Sequence, residues 1–226
     1  MNKKKTVDIR MIAALGVFSA IAYALTFVSR FLPPMIPAVP FLKYDPKDFL
    51  IAICGFMFGP LPALAVVVVV SLIEFAVNIS GTGVIGLLMN ILSSSAFVLP
   101  AAFIYKSRRS LPGAVIGLLV GLITMVGVML LWNYLITPIY MEIPRDKIVS
   151  MLLPAFLPFN AVKGAINMAL ALLLYKPLVM ALKKAHVLPP SEKKSVQGGR
   201  TAGAVILAVV LLATAALLIL IFNRVI

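Results

Sequence analysis

Residues 152–175 read LLPAFLPFNAVKGAINMALALLLY, an apolar stretch whose only charged residue is Lys163. About 20 predominantly apolar residues are enough to cross the hydrocarbon layer of a bilayer as an α-helix. A charge near the centre of such a helix costs at least ~2.5 kcal/mol, so it usually faces a cavity or a partner inside the protein. The stretch therefore predicts a membrane-spanning helix that carries a functional polar group.

The rest of the chain has the same character. Of its 226 residues 62% are hydrophobic, and the mean hydropathy is +1.12, whereas soluble domains are roughly 45–50% apolar. We expect an all-α integral membrane protein with a bundle of six helices and one extra C-terminal helix. The predicted spans cover residues 6–31, 47–58, 61–79, 84–105, 112–137, 148–182 and 201–222.

Three parts follow from these spans. Residues 1–184 form the six-helix membrane domain, residues 185–200 form a polar linker, and residues 201–226 hold the additional helix. Pro154 and Pro158 should bend or break the start of the sixth span, because proline lacks the backbone donor that a helix needs.

The net charge of +13 is distributed as a membrane topology signal and not as a nucleic-acid surface. Cytoplasmic flanks of spans are rich in Lys and Arg. Thirteen basic residues would lie on the cytoplasmic side with the N-terminus: Lys3, Lys4, Lys5, Arg10, Lys106, Arg108, Arg109, Lys176, Lys183, Lys184, Lys193, Lys194 and Arg200. Six would lie outside, Lys47 among them as a loop charge. This predicts a multi-pass protein of the cell membrane with its C-terminus outside.

Polar residues inside the spans mark a candidate binding site. Asn160, Lys163 and Asn167 share one helical face, because positions i, i+3 and i+7 lie on the same side of an α-helix. Other candidates in or beside the spans are Tyr44, Asp45, Glu74, Asn78, Asn90, Ser93, Ser94, Trp132, Asn133 and Tyr134. Amides, charges and aromatic rings that converge in this way favour a neutral, planar, hydrogen-bonding ligand.

Simpler explanations exist for the individual residues. Lys163 could pair with Glu74, the only carboxylate that we expect to be buried in the membrane. Trp132 and Tyr134 could be interfacial belt residues, and Asn78 and Asn90 could join helices. The motif around Tyr44 and Asp45 could be only a turn.

Gly16, Ala20 and Ala24 form a row of small residues on the first helix. Such rows allow another helix to approach closely. The row could pack inside the bundle or dock a separate subunit.

The sequence contains few of the residues and motifs that enzymes use. The only histidine, His186, lies in the linker and the only cysteine, Cys54, lies in an apolar run, so we expect no metal site. The sequence contains no phosphate-binding loop and no nucleophile or metalloprotease motif. We predict that the chain is not an enzyme and needs no cofactor of its own.

Five segments resemble motifs of the riboflavin-specific substrate-binding (S) components of energy-coupling factor (ECF) transporters. They are residues 41–49 (FLKYDPKDF), 55–60 (GFMFGP), 71–75 (SLIEF), 131–140 (LWNYLITPIY) and 157–164 (LPFNAVKG). The resemblance covers about residues 8–184, and the additional helix departs from the family pattern.

The resemblance implies a six-helix protein that captures riboflavin, and to a lesser degree FMN, from outside. It implies substrate-binding roles for Asn133, Asn160 and Lys163, and also for Tyr44, Glu74, Asn78 and Trp132; Asp45 and Asn167 complete the expected site. The outer loop between the first two helices would act as a lid. The small-residue row would dock onto a membrane-embedded coupling subunit that works with two ATPases, which use the ATP.

Three other functions remain compatible with the sequence. The chain could be an S component for a different vitamin, or a stand-alone secondary transporter that uses Glu74 and Lys163 as an ion relay. A structural scaffold is a further possibility, in which Lys163 would be replaceable.

Overall fold

The computed structural model of the chain describes residues 9–35, 42–77, 83–184 and 199–222. Throughout these ranges the regular structure is helical. The helices are α1 (Ile9–Ser29), α2 (Lys47–Phe58), α3 (Pro60–Ala76), α4 (Gly83–Ser107), α5 (Leu111–Leu135), α6 (Thr137–Met141), α7 (Arg145–Met151), α8 (Leu157–Lys184) and α9 (Gly199–Phe222), with a π-helical turn at Leu152–Phe156 between α7 and α8.

Five helical segments of the described ranges are long and apolar enough to cross a membrane: Ile9–Ser29, Gly83–Ser107, Leu111–Leu135, Arg145–Leu182 and Ala202–Ile221. The apolar helix α3 is shorter, with 17 residues. Together with the short α2, these segments match the predicted six helices plus one. The prediction of an all-helical membrane bundle with an extra C-terminal helix is confirmed. The predicted linker falls mostly on residues 185–198, which lie outside the described ranges.

Helix α2 forms the centre of the bundle. It packs against α1, α3, α4 and α8, and its residues from Lys47 to Phe56 are all buried. Gly59 ends it with a positive φ of 99°, a conformation that residues with a Cβ avoid. Pro60 then starts α3, where its missing N–H is not needed. The chain therefore reverses direction within one residue and forms a short α2–α3 hairpin.

Helices α4 and α5 pack so closely that their backbones touch. A Cβ on Gly117 would lie 2.8 Å from the carbonyl oxygen of Ala101, and one on Gly121 would collide with the carbonyl oxygen of Phe97. Ser110 begins α5 as an N-cap whose hydroxyl accepts a hydrogen bond from the amide of Gly113 at 3.2 Å.

The predicted sixth span is divided in the structure. Residues 145–151 form α7, the π-helical turn follows, and α8 begins at Leu157. Pro154 and Pro158 lack the amide hydrogens that would continue an α-helical ladder here, so the expected disruption occurs at these prolines. The π-helical turn ends at Phe156, one helical turn before Asn160.

Candidate functional site

A cavity of about 250 Å³ lies among the C-terminal end of α1, the segment before α2, and helices α4, α5, α6 and α8. Its walls combine apolar side chains with amides and charges. They are formed by Arg30, Leu42, Lys43, Asp45, Met89, Asn90, Ser93, Met129, Asn133, Tyr140, Phe159, Asn160 and Lys163.

Two asparagines with buried side chains face this cavity from different helices. On α5, Asn133 donates from Nδ2 to the carbonyl oxygen of Met129 at 2.6 Å and accepts at Oδ1 from the hydroxyl of Thr137 at 2.9 Å. On α8, Asn160 donates from Nδ2 to the carbonyl oxygen of Phe156 at 2.8 Å. Each amide has two N–H donors and an oxygen with two lone pairs. Both side chains are therefore oriented by the protein and retain capacity to bind a ligand.

Lys163 is held loosely. Its ammonium nitrogen lies 3.5 Å from the hydroxyl oxygen of Ser93 and 3.4 Å from Oδ2 of Asp48, beyond the 2.7–2.9 Å of a strong charge-assisted bond. The side chain is 9% exposed and lines the cavity. An ammonium group has three donors, so Lys163 can direct a short hydrogen bond at a molecule in the cavity.

Asp48 supplies the compensating charge. Its Oδ1 accepts a hydrogen bond from Ser94 at 2.6 Å. Its Oδ2, next to Lys163, is shielded from solvent and makes no hydrogen bond among the described residues. The lysine therefore pairs with Asp48 and not, as considered above, with Glu74.

Glu74 belongs to a second buried ion cluster centred on Lys47. The Lys47 ammonium lies 2.7 and 2.8 Å from the two carboxylate oxygens of Glu74 and 2.7 Å from Oδ2 of Asp45. Asn90 donates to Glu74 at 2.8 Å, and Thr26 donates to Asp45 at 2.8 Å. This cluster joins α1, α2, α3 and α4 beside the cavity.

Two predictions about charge are wrong in the light of this cluster. Lys47 is not a loop charge facing water, because its side chain is 0% exposed. Glu74 is not the only buried carboxylate, because Asp45 and Asp48 are buried as well. Burial alone would raise the pKa of Asp45, but Lys47, Lys163 and Arg30 lower it, and the resulting pKa lies well below the ordinary value. Asp45 therefore stays ionised.

Asn167 and Tyr44 meet each other and do not line the cavity. The Tyr44 hydroxyl donates to Oδ1 of Asn167 at 3.4 Å, and the Phe49 amide donates to the same oxygen at 3.3 Å. Asn167 in turn donates to the carbonyl oxygen of Asp45 at 3.4 Å. Burial, with help from Asp48 and Asp45, raises the pKa of Tyr44 well above its ordinary value. These contacts fasten the segment before α2 to α8.

The other predicted residues have different positions. Trp132 packs against the main apolar core and is absent from the cavity lining. Asn78 lies outside the described residues. The row of Gly16, Ala20 and Ala24 is exposed on the outer face of α1, and a Cβ on Gly16 would contact nothing within 4 Å. The row does not pack inside the described bundle.

Several cavity residues were not predicted. The charge pattern places Arg30 and Lys43 among the outer charges, and the structure shows that both also line the cavity. The Lys43 ammonium donates to the carbonyl oxygen of Arg30 at 3.3 Å. Phe159 precedes Asn160 in the quoted stretch, but an aromatic residue in an apolar helix gives no sequence signal of its own. Within the described part of the chain, no group of His, Cys, Asp and Glu side chains is suited to a metal ion.

A family model and several known proteins are similar to most of this chain. A family model described as the substrate-specific component of ECF transporters matches residues 10–175. The riboflavin transporter RibU of Staphylococcus aureus (strain TCH60) is 28% identical over 193 residues, which is 81% of this chain and 100% of that protein. The riboflavin transporter FmnP of Bacillus subtilis (strain 168) is 28% identical over 199 residues, or 83% of this chain and 100% of that protein.

A solved structure also resembles the fold. It is reported as the structure and mechanism of the S component of a bacterial ECF transporter. The alignment has a TM-score of 0.63 and 31% sequence identity, and it covers 77% of this chain and 98% of that chain. The family match ends at residue 175, before α9 begins.

Proposed function

Because this chain belongs to the family of ECF transporter substrate-specific components, we propose that it binds riboflavin in the cavity beside Lys163 and passes it to an ATP-driven coupling module. The relatives from Staphylococcus aureus and Bacillus subtilis are both named riboflavin transporters. The observation that carries the proposal is the buried Lys163 ammonium, whose protein contacts are long and whose cavity is lined by two oriented amides.

The cavity chemistry suits a flavin. Riboflavin joins a flat, uncharged ring system with a hydrogen-bonding edge to a polyhydroxy chain. Leu42, Met89, Met129 and Phe159 offer apolar and polarizable surface to the rings, and methionine sulfur makes favourable contacts with aromatic systems. Asn133, Asn160 and Lys163 would bind the polar edge and the hydroxyl groups.

Three of the remaining predicted residues, Tyr44, Glu74 and Asn167, lie outside the cavity lining, whereas Asp45 is part of it. Tyr44 and Asn167 hold the segment before α2, and Asp45 and Glu74 hold Lys47. We also include FMN among the expected ligands. Its phosphate group is an anion, and Arg30 and Lys43 are two further cations of the cavity wall. Trp132 lies in the core next to this region and serves as a spectroscopic reporter, since it is the only tryptophan.

Transport requires partners. The exposed row of Gly16, Ala20 and Ala24 would dock onto a membrane-embedded coupling subunit that works with two ATPase subunits. The family description as a substrate-specific component supports this division of labour. This chain would bind the vitamin, and the partners would hydrolyse ATP. We place it in the cell membrane with a cytoplasmic N-terminus and an outward C-terminus, as the basic clusters of the sequence predict.

A direct binding measurement tests the proposal. The purified protein is titrated with riboflavin while the emission of Trp132 is followed, and the purified sample is inspected for flavin absorbance. We expect tight binding with a submicromolar Kd. Binding weaker than micromolar would refute riboflavin as the substrate, and no flavin signal together with an intact fold would favour an S component for another vitamin.

A further inference from the structure

We infer that α9, the helix beyond the family match, is a fixed buttress of the binding site that slows ligand release. It would act through Ala215 and Ile219, which hold the cavity-lining part of α8 and the segment before α2 in place. The inference rests on the proposed function only for the identity of the ligand.

One face of α9 is built for close packing. Ala204, Ala208 and Ala215 are 6%, 0% and 2% exposed, and their spacing of four and seven residues puts them on one side of the helix. Alanine lets two helix backbones approach closely. The helix packs against α8. Ala216, one residue after Ala215, is exposed.

The outer part of this contact reaches the cavity wall. Ala215 belongs to a buried apolar cluster with Met35, Ala155, Phe159 and Val162, and Leu42, Tyr44, Ile166 and Ile219 pack against that cluster. Phe159 and Leu42 also line the cavity. The apolar cluster that contains Ala215 therefore shares two residues with the cavity wall.

The backbone before and at the start of α8 would gain stability from contacts with α9. The π-helical turn at Leu152–Phe156 interrupts the backbone ladder directly before Phe159 and Asn160, and Pro154 and Pro158 cannot donate hydrogen bonds to restore it. Ala155, within the turn, lies in the same cluster as Ala215. A helix that served only as a membrane anchor would have no need to place residues in this cluster.

The position of α9 is also compatible with docking through α1. The helix packs against α8, while α1 packs against α2 and α3 and leaves Gly16, Ala20 and Ala24 exposed. The buttress can therefore remain in place when a partner occupies the small-residue row.

A matched pair of substitutions tests the inference. Ala215→Leu adds the same side chain as Ala216→Leu, but only the first lies in the contact with the cluster. Riboflavin dissociation is followed by stopped-flow recovery of Trp132 emission, and hydrogen–deuterium exchange of residues 151–163 is measured without ligand. Ala215→Leu overpacks a tight contact and so displaces the neighbouring side chains and backbone. We therefore expect it to speed riboflavin dissociation about tenfold and to raise hydrogen–deuterium exchange of residues 151–163. Ala216→Leu should behave as the unsubstituted protein.

A further variant, Ile219→Ala, covers a failure of Ala215→Leu to fold. It should also release riboflavin faster and show increased exchange at residues 151–163. Unchanged dissociation and unchanged exchange in the folded variants would overturn the inference. If the unsubstituted protein does not bind riboflavin, the proposed function fails, and the ligand-free exchange comparison still decides whether α9 supports this part of α8.

Discussion

The ammonium nitrogen of Lys163 lies 3.4 Å from Oδ2 of Asp48, at the edge of the cavity. Asp48 is fully buried and stays close enough to offset the positive charge. A tighter pair would occupy the ammonium, and a missing carboxylate would leave a buried charge without compensation, which is strongly unfavourable. At this distance Asp48 offsets the buried charge of Lys163, and the ammonium group can still donate a short hydrogen bond to a ligand.

Removing the Lys163 ammonium should weaken riboflavin binding. We expect Lys163→Ala to raise the Kd about 10- to 100-fold, because a hydrogen bond to a charged group contributes ~1.5–3 kcal/mol. Fluorescence titration measures the change, and Lys147→Ala, at an exposed position of α7, is the control. Equal affinities for the two variants would exclude Lys163 from the site.

Substitutions of two asparagines on α8 should have different effects, one on riboflavin affinity and the other on stability. Asn160 lines the cavity, while Asn167 fastens Tyr44, Phe49 and Asp45. Asn160→Ala should raise the Kd for riboflavin about fivefold with a small change in unfolding temperature, because a typical hydrogen bond contributes ~1 kcal/mol. Asn167→Ala should lower the unfolding temperature more and leave several buried partners unsatisfied. The opposite ranking in paired titration and thermal unfolding experiments would contradict these assignments.

The buried cluster around Lys47 should dominate stability. Lys47→Met leaves Asp45 and Glu74 without their cation, and breaking a buried pair costs about 3–5 kcal/mol. We expect a clear fall in the unfolding temperature in detergent, partly restored when Glu74→Gln is added. Lys106→Met, at an exposed end of α4, should have little effect. A variant of Lys47 as stable as the Lys106 variant would show that the cluster is not needed.

A bulky residue in the small-residue row should uncouple binding from uptake. Ala20→Trp fills the exposed face of α1 without touching the cavity, so riboflavin affinity should stay the same. Co-purification with the coupling module and ATP-dependent uptake should be lost, because close helix contact depends on small side chains. Ala216→Trp on α9 is the matched control and should retain both. Normal uptake by Ala20→Trp would place the docking surface elsewhere.

Much of the architecture is readable from the sequence. The second helix was predicted at residues 47–58 and occurs at Lys47–Phe58, because the proline-rich segment before it and Gly59-Pro60 after it restrict the backbone to few choices. The spacing of Asn160 and Lys163 predicted a common face, and both line the cavity. Local rules of helix geometry were sufficient for these features.

Local rules of helix geometry do not predict the buried charges. Lys47 stands near the start of a short helix after a polar segment, where a lysine is normally solvated. Its partner Glu74 is 27 residues away on another helix, so only the packing of α2 against α3 brings the two together. Asn167 lies on the predicted stripe, but its side chain is occupied by Tyr44 and the backbone before α2. Periodicity gives the direction of a side chain and not the partner that it meets.

The α2–α3 hairpin has a consequence for how the protein enters the membrane during synthesis. With 12 and 17 residues, the two helices reach only about 18 and 26 Å at 1.5 Å per residue, short of the ~30 Å hydrocarbon layer. Each helix also carries a charge at the end opposite the turn, and the two charges meet in the folded bundle. We therefore expect the two helices to insert as a pair, and substitutions of Lys47 or Glu74 should lower the yield of inserted protein.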